Sequence, residues 1–472
     1  MMQLTVLDPN EIQSIHLATL RILSETGVVL KHPGGRQLLC DAKAATKGER
    51  VCFPPDLVEW ALSQCLPAVT VSGRDGKTIT LGDGSLHWHN LGGARDVYES
   101  RTGLCRPAVL QDVCDSARLL DALENATSIT PFFTPRDVPG PLMSLSMYRY
   151  SLPNATKPVQ GPGVQTAAEV KIAVEMAAVI GKPQEVLTLG ISPVSPLNFP
   201  DDVVAAIIET ARQGISLSPL PCPTAGTTGP ISIAGVLAQQ NAEILASIVL
   251  AQLVHPGLPV VYTGRIAMME PRTGLSVWGG VELGLASAAT VQLGHSYHLP
   301  VNVYGLSTNS TVFDIQNGYE RALNAAIPAL AGADELSGIG EMQAGVAGSY
   351  EQMVCDNEIA ASVGRLRRGF TVDEDTLAVD VIAAVMDGAR NFLGQRHTRR
   401  YLRAGEITLT RLANRSSWIE WERNGRAGMV EHAESEVERI LKEHQPAPLT
   451  AGQDKELDTI MQAAGKMLVS GS

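Results

Sequence analysis

Between residues 125 and 345 the chain repeats one beat: a short apolar run, a loop rich in Gly, Pro, Ser and Thr, then an Ala-rich helical stretch. The runs fall at 128–133, 158–161, 186–191, 215–220, 259–262, 301–304 and 335–339, separated by helical stretches near 165–180, 201–213, 232–254, 279–298 and 315–330. Strands alternating with helices make right-handed βαβ units and a parallel sheet, so the class is α/β. Such a sheet either opens into a doubly wound fold or closes into a (β/α)8 TIM barrel. An open dinucleotide-binding sheet carries G-x-G-x-x-G after an early strand, and none stands there. The barrel is expected, its eighth strand coming from 86–91 or from the chain beyond 345.

On this reading residues 1–85 form an N-terminal helical and strand cap, 86–365 the catalytic barrel and 366–472 a helical C-terminal extension. Pro54-Pro55 and the turns from Gly73 to Gly84 punctuate the cap. The last stretch, 431–467, alternates charge along helical segments and reads as a solvated face or an oligomer contact. A homo-oligomer is expected.

Several partner classes are disfavoured. Acidic residues outnumber basic ones, 49 to 37, and the net charge of −12 opposes a phosphate backbone, so no nucleic acid is expected. The most apolar stretch, 231–254, contains Gln239, Gln240, Asn241 and Glu243, which suit a buried barrel helix better than a membrane span. The first residues lack a basic start followed by an apolar run, and the seven cysteines form no C-x-x-C pair. Reduced thiols in a cytoplasmic protein are expected.

The loops after the strands, such as Ser192-Pro-Val-Ser-Pro and Pro223-Thr-Ala-Gly-Thr-Thr-Gly-Pro, would line the C-terminal mouth where barrel active sites sit. Phe132, Phe133, Tyr262 and Tyr304 stand near strand ends in a chain with only 4% aromatic residues. Aromatic walls attract a quaternary ammonium through the ring quadrupole; filling of the barrel interior explains the same residues equally well. Arg136 and Arg265 each lie three residues past an aromatic and suit a substrate carboxylate, or an ordinary salt bridge. His87 and His89 share a strand face, but no further ligands stand at a spacing that would complete a zinc site, so no tightly bound metal is expected. His295 and His298 read as helix surface. Glu341, in the loop Gly338-Ile-Gly-Glu-Met-Gln-Ala-Gly, argues against an anion there and for a cationic ligand; a turn needing glycine is the alternative.

Four stretches are similar to the trimethylamine methyltransferase family: Pro221-Cys-Pro-Thr-Ala-Gly-Thr-Thr-Gly-Pro through Glu243, Pro256-Gly-Leu-Pro-Val-Val-Tyr, Ser307-Thr-Asn-Ser-Thr-Val-Phe-Asp-Ile-Gln-Asn-Gly-Tyr-Glu, and Tyr350-Glu-Gln-Met-Val-Cys-Asp-Asn-Glu-Ile. The resemblance implies a (β/α)8 barrel and transfer of a methyl group from an amine to the Co(I) of a corrinoid (cobalamin) carried by a separate protein. One branch of the family uses pyrrolysine near the segment corresponding to 307–316, where this chain has standard residues only. The resemblance is therefore to the non-pyrrolysine branch, which acts on quaternary amines. Glycine betaine is the expected donor, with dimethylglycine as product; proline betaine, carnitine or a choline-like amine are alternatives, as is a betaine-binding barrel without catalysis. A barrel lyase using a strand lysine finds almost no lysine in the strands. Because the leaving amine is neutral, the protein need only position the substrate, and no catalytic acid or base is assigned. Phe133, Tyr262 and Tyr304 are expected to hold the cation with Glu341 as charge partner, and Arg265 and His89 to hold the carboxylate.

Overall fold

The computed structural model describes residues 3–388 and 390–468 and shows a mixed α/β molecule. Near the N-terminus a hairpin of β1 (Val69–Ser72) and β2 (Thr78–Leu81) is followed by β3 (His87–Asn90), and the repeating region supplies β4 (Thr188–Ile191), β5 (Ser216–Pro219), β6 (Tyr262–Gly264), β7 (Val301–Tyr304) and β8 (Glu335–Ile339). Strands β6, β7, β8 and β3 pair in that order, all parallel, and β4 pairs parallel with β5.

Less regular contacts join these two sets. The Leu217 amide donates to the Pro259 carbonyl (3.1 Å) and the Val261 amide to that of Leu217 (3.0 Å), linking β5 to the approach of β6. On the other side the Thr127 amide donates to the Trp88 carbonyl (2.9 Å), Gln160 to Ile129 (2.7 Å) and Gly161 to Thr188 (2.9 Å). Backbone bonds thus lead from β3 through 127–130 and 158–161 to β4, then through β5, β6, β7 and β8 back to β3. The undecided strand of the sequence reading is therefore 86–91. The runs 128–133 and 158–161 take their expected places but hold only isolated bridges, Ile129 to Val159 and Ala94 to Phe133. Pro131 and Pro158 lack the amide that a regular ladder would use.

Helices pack outside this ring. Helix α1 (Ile233–Val254) is long and apolar enough to cross a membrane, yet 83% of its apolar window is buried against neighbouring helices. Its polar residues are paired there: Glu243 accepts from the Ser195 hydroxyl (2.7 Å) and the Leu197 amide (2.8 Å), and Asn241 donates to the Tyr297 hydroxyl (2.8 Å). These bonds satisfy groups whose burial would otherwise cost several kcal/mol, roughly 1–3 each.

Helix α2 (Tyr350–Arg368) starts beside the C-terminal end of β8, where Asp356 accepts from the Gly340 amide (2.8 Å), and ends where Arg367 donates to the Gly84 carbonyl (3.2 Å), just before β3. It therefore runs antiparallel to the strands. The segment 431–467 has an inner as well as a solvated face: Val437, Ile440, Leu457 and Ala464 are buried, and Arg149 bonds to Asp454 (2.6 Å) and Asp458 (2.8 Å).

At the N-terminal end of the strands the hairpin β1–β2 packs Val69, Val71 and Leu81 against Val261. Above it, the inward positions hold Ser128, Thr188, Gly190, Ser218 and Thr263. Barrel interiors are usually filled by branched side chains; these small ones leave the centre hollow.

Candidate active site

The hollow is a cavity of 510 Å³ reaching from the hairpin floor to the C-terminal strand ends. That is within the size range of small-molecule sites, roughly 300–1,000 Å³. Its walls include His89, Arg265, Trp278, Asn302, Tyr304 and Glu335.

Asn302 on β7 organises the polar wall. Its side-chain amide donates to Glu335 Oε2 and to His89 Nε2 (2.9 Å), and its Oδ1 accepts from Arg265 Nη2. Since His89 Nε2 accepts, the ring proton is on Nδ1, which donates to Thr130 Oγ1 (3.1 Å), and Thr130 donates to Gln160 Oε1 (3.1 Å). The neutral tautomer agrees with a His89 pKa lowered by burial, against the opposing pull of Glu335. Glu335 Oε1 also accepts from Ser128 (2.9 Å) and from the Gln160 amide (3.1 Å).

Arg265 is buried, and its Nη1 donates to the carbonyls of Gly264 (3.0 Å) and Asn302 (3.1 Å). Burial lowers its pKa, while the Glu335 and Glu341 carboxylates act the other way through space. Among the described residues no carboxylate lies in ion-pair contact with it. The Glu335 carboxylate reaches this guanidinium only through Asn302, so an anionic ligand in the cavity would add a direct partner. Its carbon lies 5.0 Å from the Tyr304 ring centre, and the Trp278 ring lies 5.2 Å from Tyr304 on the other contact. Trp278 is fixed by its loop: Asn309 Oδ1 accepts from the amides of Trp278 (2.6 Å) and Gly279 (2.7 Å).

Behind Tyr304, Glu341 is fully buried and accepts from the Ser307 hydroxyl (2.8 Å). Desolvation pushes its pKa up to about 7, with Arg321, Ser307 and Tyr304 opposing. Beside it, Gln343, Ala344 and Gly345 all adopt positive φ (54°, 57° and 82°), a conformation costly for the first two. Bonds from the Ala344 amide to the Thr308 carbonyl (2.8 Å) and from Gln343 to Ser310 (3.1 Å) hold this turn, and Ala344 and Gly345 line the cavity.

Of the residues singled out in the sequence, the structure brings His89, Arg265 and Tyr304 to one cavity, with Glu341 one layer behind. Tyr262 and Phe133 are elsewhere. Tyr262 points out of the ring: its hydroxyl donates to Asn241 on α1 (2.8 Å) and its ring packs at 6.1 Å from Tyr297. Phe133 is sealed between Phe132 (4.5 Å) and Tyr350 (5.6 Å). Arg136 makes a half-exposed salt bridge to Asp96 (3.3 Å), and His295 pairs with Asp334 (2.8 Å). Among the described residues no group of three or more His, Cys, Asp or Glu is placed to hold a metal ion. The sequence reading missed Trp278, Asn302, Glu335 and Gln160; a polar residue inside an apolar strand, as at 302 and 335, was the available signal.

The description of the trimethylamine methyltransferase family matches residues 1–466. The chain belongs to the trimethylamine methyltransferase family. A trimethylamine methyltransferase of Methanosarcina barkeri is 30% identical over 489 residues, covering 98% of this chain and 96% of that one. A glycine betaine methyltransferase of Desulfitobacterium hafniense (strain Y51) is also 30% identical, over 467 residues, covering 97% and 96%. Among solved structures, the monomethylamine methyltransferase of Methanosarcina barkeri superposes with a TM-score of 0.53 at 12% identity, covering 99% of this chain and 88% of that one. That likeness concerns the fold. In this trimethylamine methyltransferase family member, Arg265, Tyr304 and Trp278 lie on one cavity wall.

Proposed function

We propose that this chain is a (β/α)8 barrel methyltransferase that moves a methyl group from glycine betaine to the Co(I) corrinoid of a separate protein, releasing dimethylglycine. The cycle of backbone pairings supports the barrel. The observation that carries the substrate is Arg265, a buried guanidinium without a contacting carboxylate, on the same wall as Tyr304 and Trp278.

Trp278 and Tyr304 offer ring faces to the trimethylammonium group, and Arg265 offers two donors to the carboxylate. His89, being neutral, contributes no competing charge. Asn302 fixes His89, Glu335 and Arg265 at once, so the donor's two ends are held in one orientation. In the transfer the C–N bond breaks with its electron pair retained by nitrogen, and the corrinoid supplies the pair for the new bond. Nitrogen leaves neutral, so no side chain need give or take a proton. Glu341, behind Tyr304, supplies negative potential when ionised rather than a contact.

The depth of the cavity favours one further reading. It continues below Arg265 to Val71, Ile79 and Leu81, which leaves room for a betaine with an apolar substituent larger than glycine betaine carries. The test is to incubate the protein with reduced cobalamin and a panel of quaternary amines and to follow methylcobalamin absorbance and the tertiary amine. Dimethylglycine from glycine betaine is expected; transfer from trimethylamine but from no betaine would overturn the assignment.

A further inference from the structure

We infer that Met143 and Met147 set the size of the amine the cavity accepts, forming the wall that faces Arg265 and Tyr304 across it. The inference rests on the reading of this cavity as the amine site and adds to it residues that lie outside the strands. Both methionines line the cavity, together with Ser144. They belong to helix Met143–Ser151, and among the described residues it is the one α-helix that reaches the cavity. Helices of a strand–helix ring pack on the outer side of the strands, so this one is an exception.

The opening that admits the helix has a cause in the sequence. It lies between the runs 127–130 and 158–161, which share the Ile129–Val159 bridge and the amide bonds from Ile129 to Pro158 (2.9 Å) and from Gln160 to Ile129 (2.7 Å). Beyond these, Pro131 and Pro162 bring no amide for a further rung, and Gly161 and Gly163 bring no side chain to fill the gap. All four line the cavity. The chain leaves the ring at the C-terminal end of one run and re-enters at the N-terminal end of the next. Met143 is therefore nearer the mouth, and Met147, on the same helix face, is one turn or roughly 6 Å deeper.

Position in the ring decides what this wall faces. From the opening, 158–161, β4, β5 and β6 lie on one side and 127–130, β3, β8 and β7 on the other. The helix thus stands opposite the junction of β6 and β7, whose C-terminal ends carry Arg265 and Tyr304. An amine held there by charge and ring faces turns the rest of its bulk toward the two thioethers. The helix itself is braced: Arg149, buried on another face, donates to Asp454 (2.6 Å) and Asp458 (2.8 Å) of helix Ala451–Leu468, which packs against it. A larger amine must then displace the methionine side chains rather than the backbone that carries them, and these unbranched chains discriminate by volume.

Isothermal titration of the full chain with tetramethylammonium and tetraethylammonium, without corrinoid, reads the ratio of the two affinities. Met147→Ala should shift that ratio toward the larger ion by about ten-fold. Met147→Phe should shift it the other way. Met143→Ala and Met143→Phe, at a half-buried position, should act in the same two directions, and they decide by the same criterion if a Met147 variant fails to fold. An unchanged ratio in the folded variants overturns the inference, and so does an equal fall for both ions with lowered thermal stability, which would make the helix structural only. In either case the amine site stands, because the wild type binds. A wild type that binds neither ion overturns the amine site itself, and this inference with it.

Discussion

The Arg265 guanidinium carbon lies 5.0 Å from the centre of the Tyr304 ring, so the cation already on the cavity wall occupies one aromatic neighbour of the substrate site. On the proposed function, the ammonium group of a bound betaine rests mainly on Trp278 and on the part of Tyr304 that Arg265 leaves free. Arg265 is in turn held by the Gly264 and Asn302 carbonyls and by Asn302 Oδ1.

Arg265→Ala should therefore impair transfer from glycine betaine by about ten- to hundred-fold, the worth of a charge-assisted hydrogen bond of about 1.5–3 kcal/mol. Choline and tetramethylammonium, which have no carboxylate, should be affected much less. Comparing kcat/KM for the three compounds checks this; an equal fall for all would make Arg265 a structural residue.

Trp278→Ala should weaken every quaternary amine, carboxylate or not, by roughly 0.5–2 kcal/mol. Isothermal titration without any corrinoid measures it directly. Unchanged binding would remove the ring from the site.

Tyr262→Phe is the contrasting case. Losing the hydroxyl leaves buried Asn241 Oδ1 without its donor and should cost about 1–3 kcal/mol of stability in denaturant titration, with kcat/KM unchanged. A selective loss of activity would return Tyr262 to the site.

Glu341 predicts a pH dependence. Its folded pKa of about 7 lies above its ordinary value of 4.5, so the folded state holds the proton more tightly and stability falls as pH rises from about 4.5 to 7, then levels. Glu341→Gln should remove that fall, a difference on the order of 3 kcal/mol between pH 5 and pH 8. Chemical unfolding of both proteins across that range tests it; parallel curves would contradict the buried carboxyl.

The beat of strands and helices was legible because each run is short, apolar and bounded by turn residues, and β7 and β8 lie where those runs end. The cavity was harder to read. Val261, Thr263 and Arg265 face inward and Tyr262 outward, and an error of one position in such a strand exchanges the two faces. That parity separates Tyr304, which lines the cavity, from Tyr262, which does not. Asn302, Glu335 and His89 come together only through the lateral stagger of β3, β7 and β8, which no single-strand pattern encodes. Trp278 lies in a loop whose course depends on Asn309, thirty-one positions away.

The hairpin beneath the cavity has a consequence for the order of events. With β1 and β2 packed on Val261, the N-terminal end of the ring is stoppered, and traffic passes through the opposite end. On the proposed function, a methyl acceptor seated across that opening would close the way in that the described residues leave, so the amine would load first and its demethylated product would wait for the acceptor to depart. Kinetics of this kind are compulsory-ordered, and excess acceptor protein would slow turnover by sealing empty enzyme.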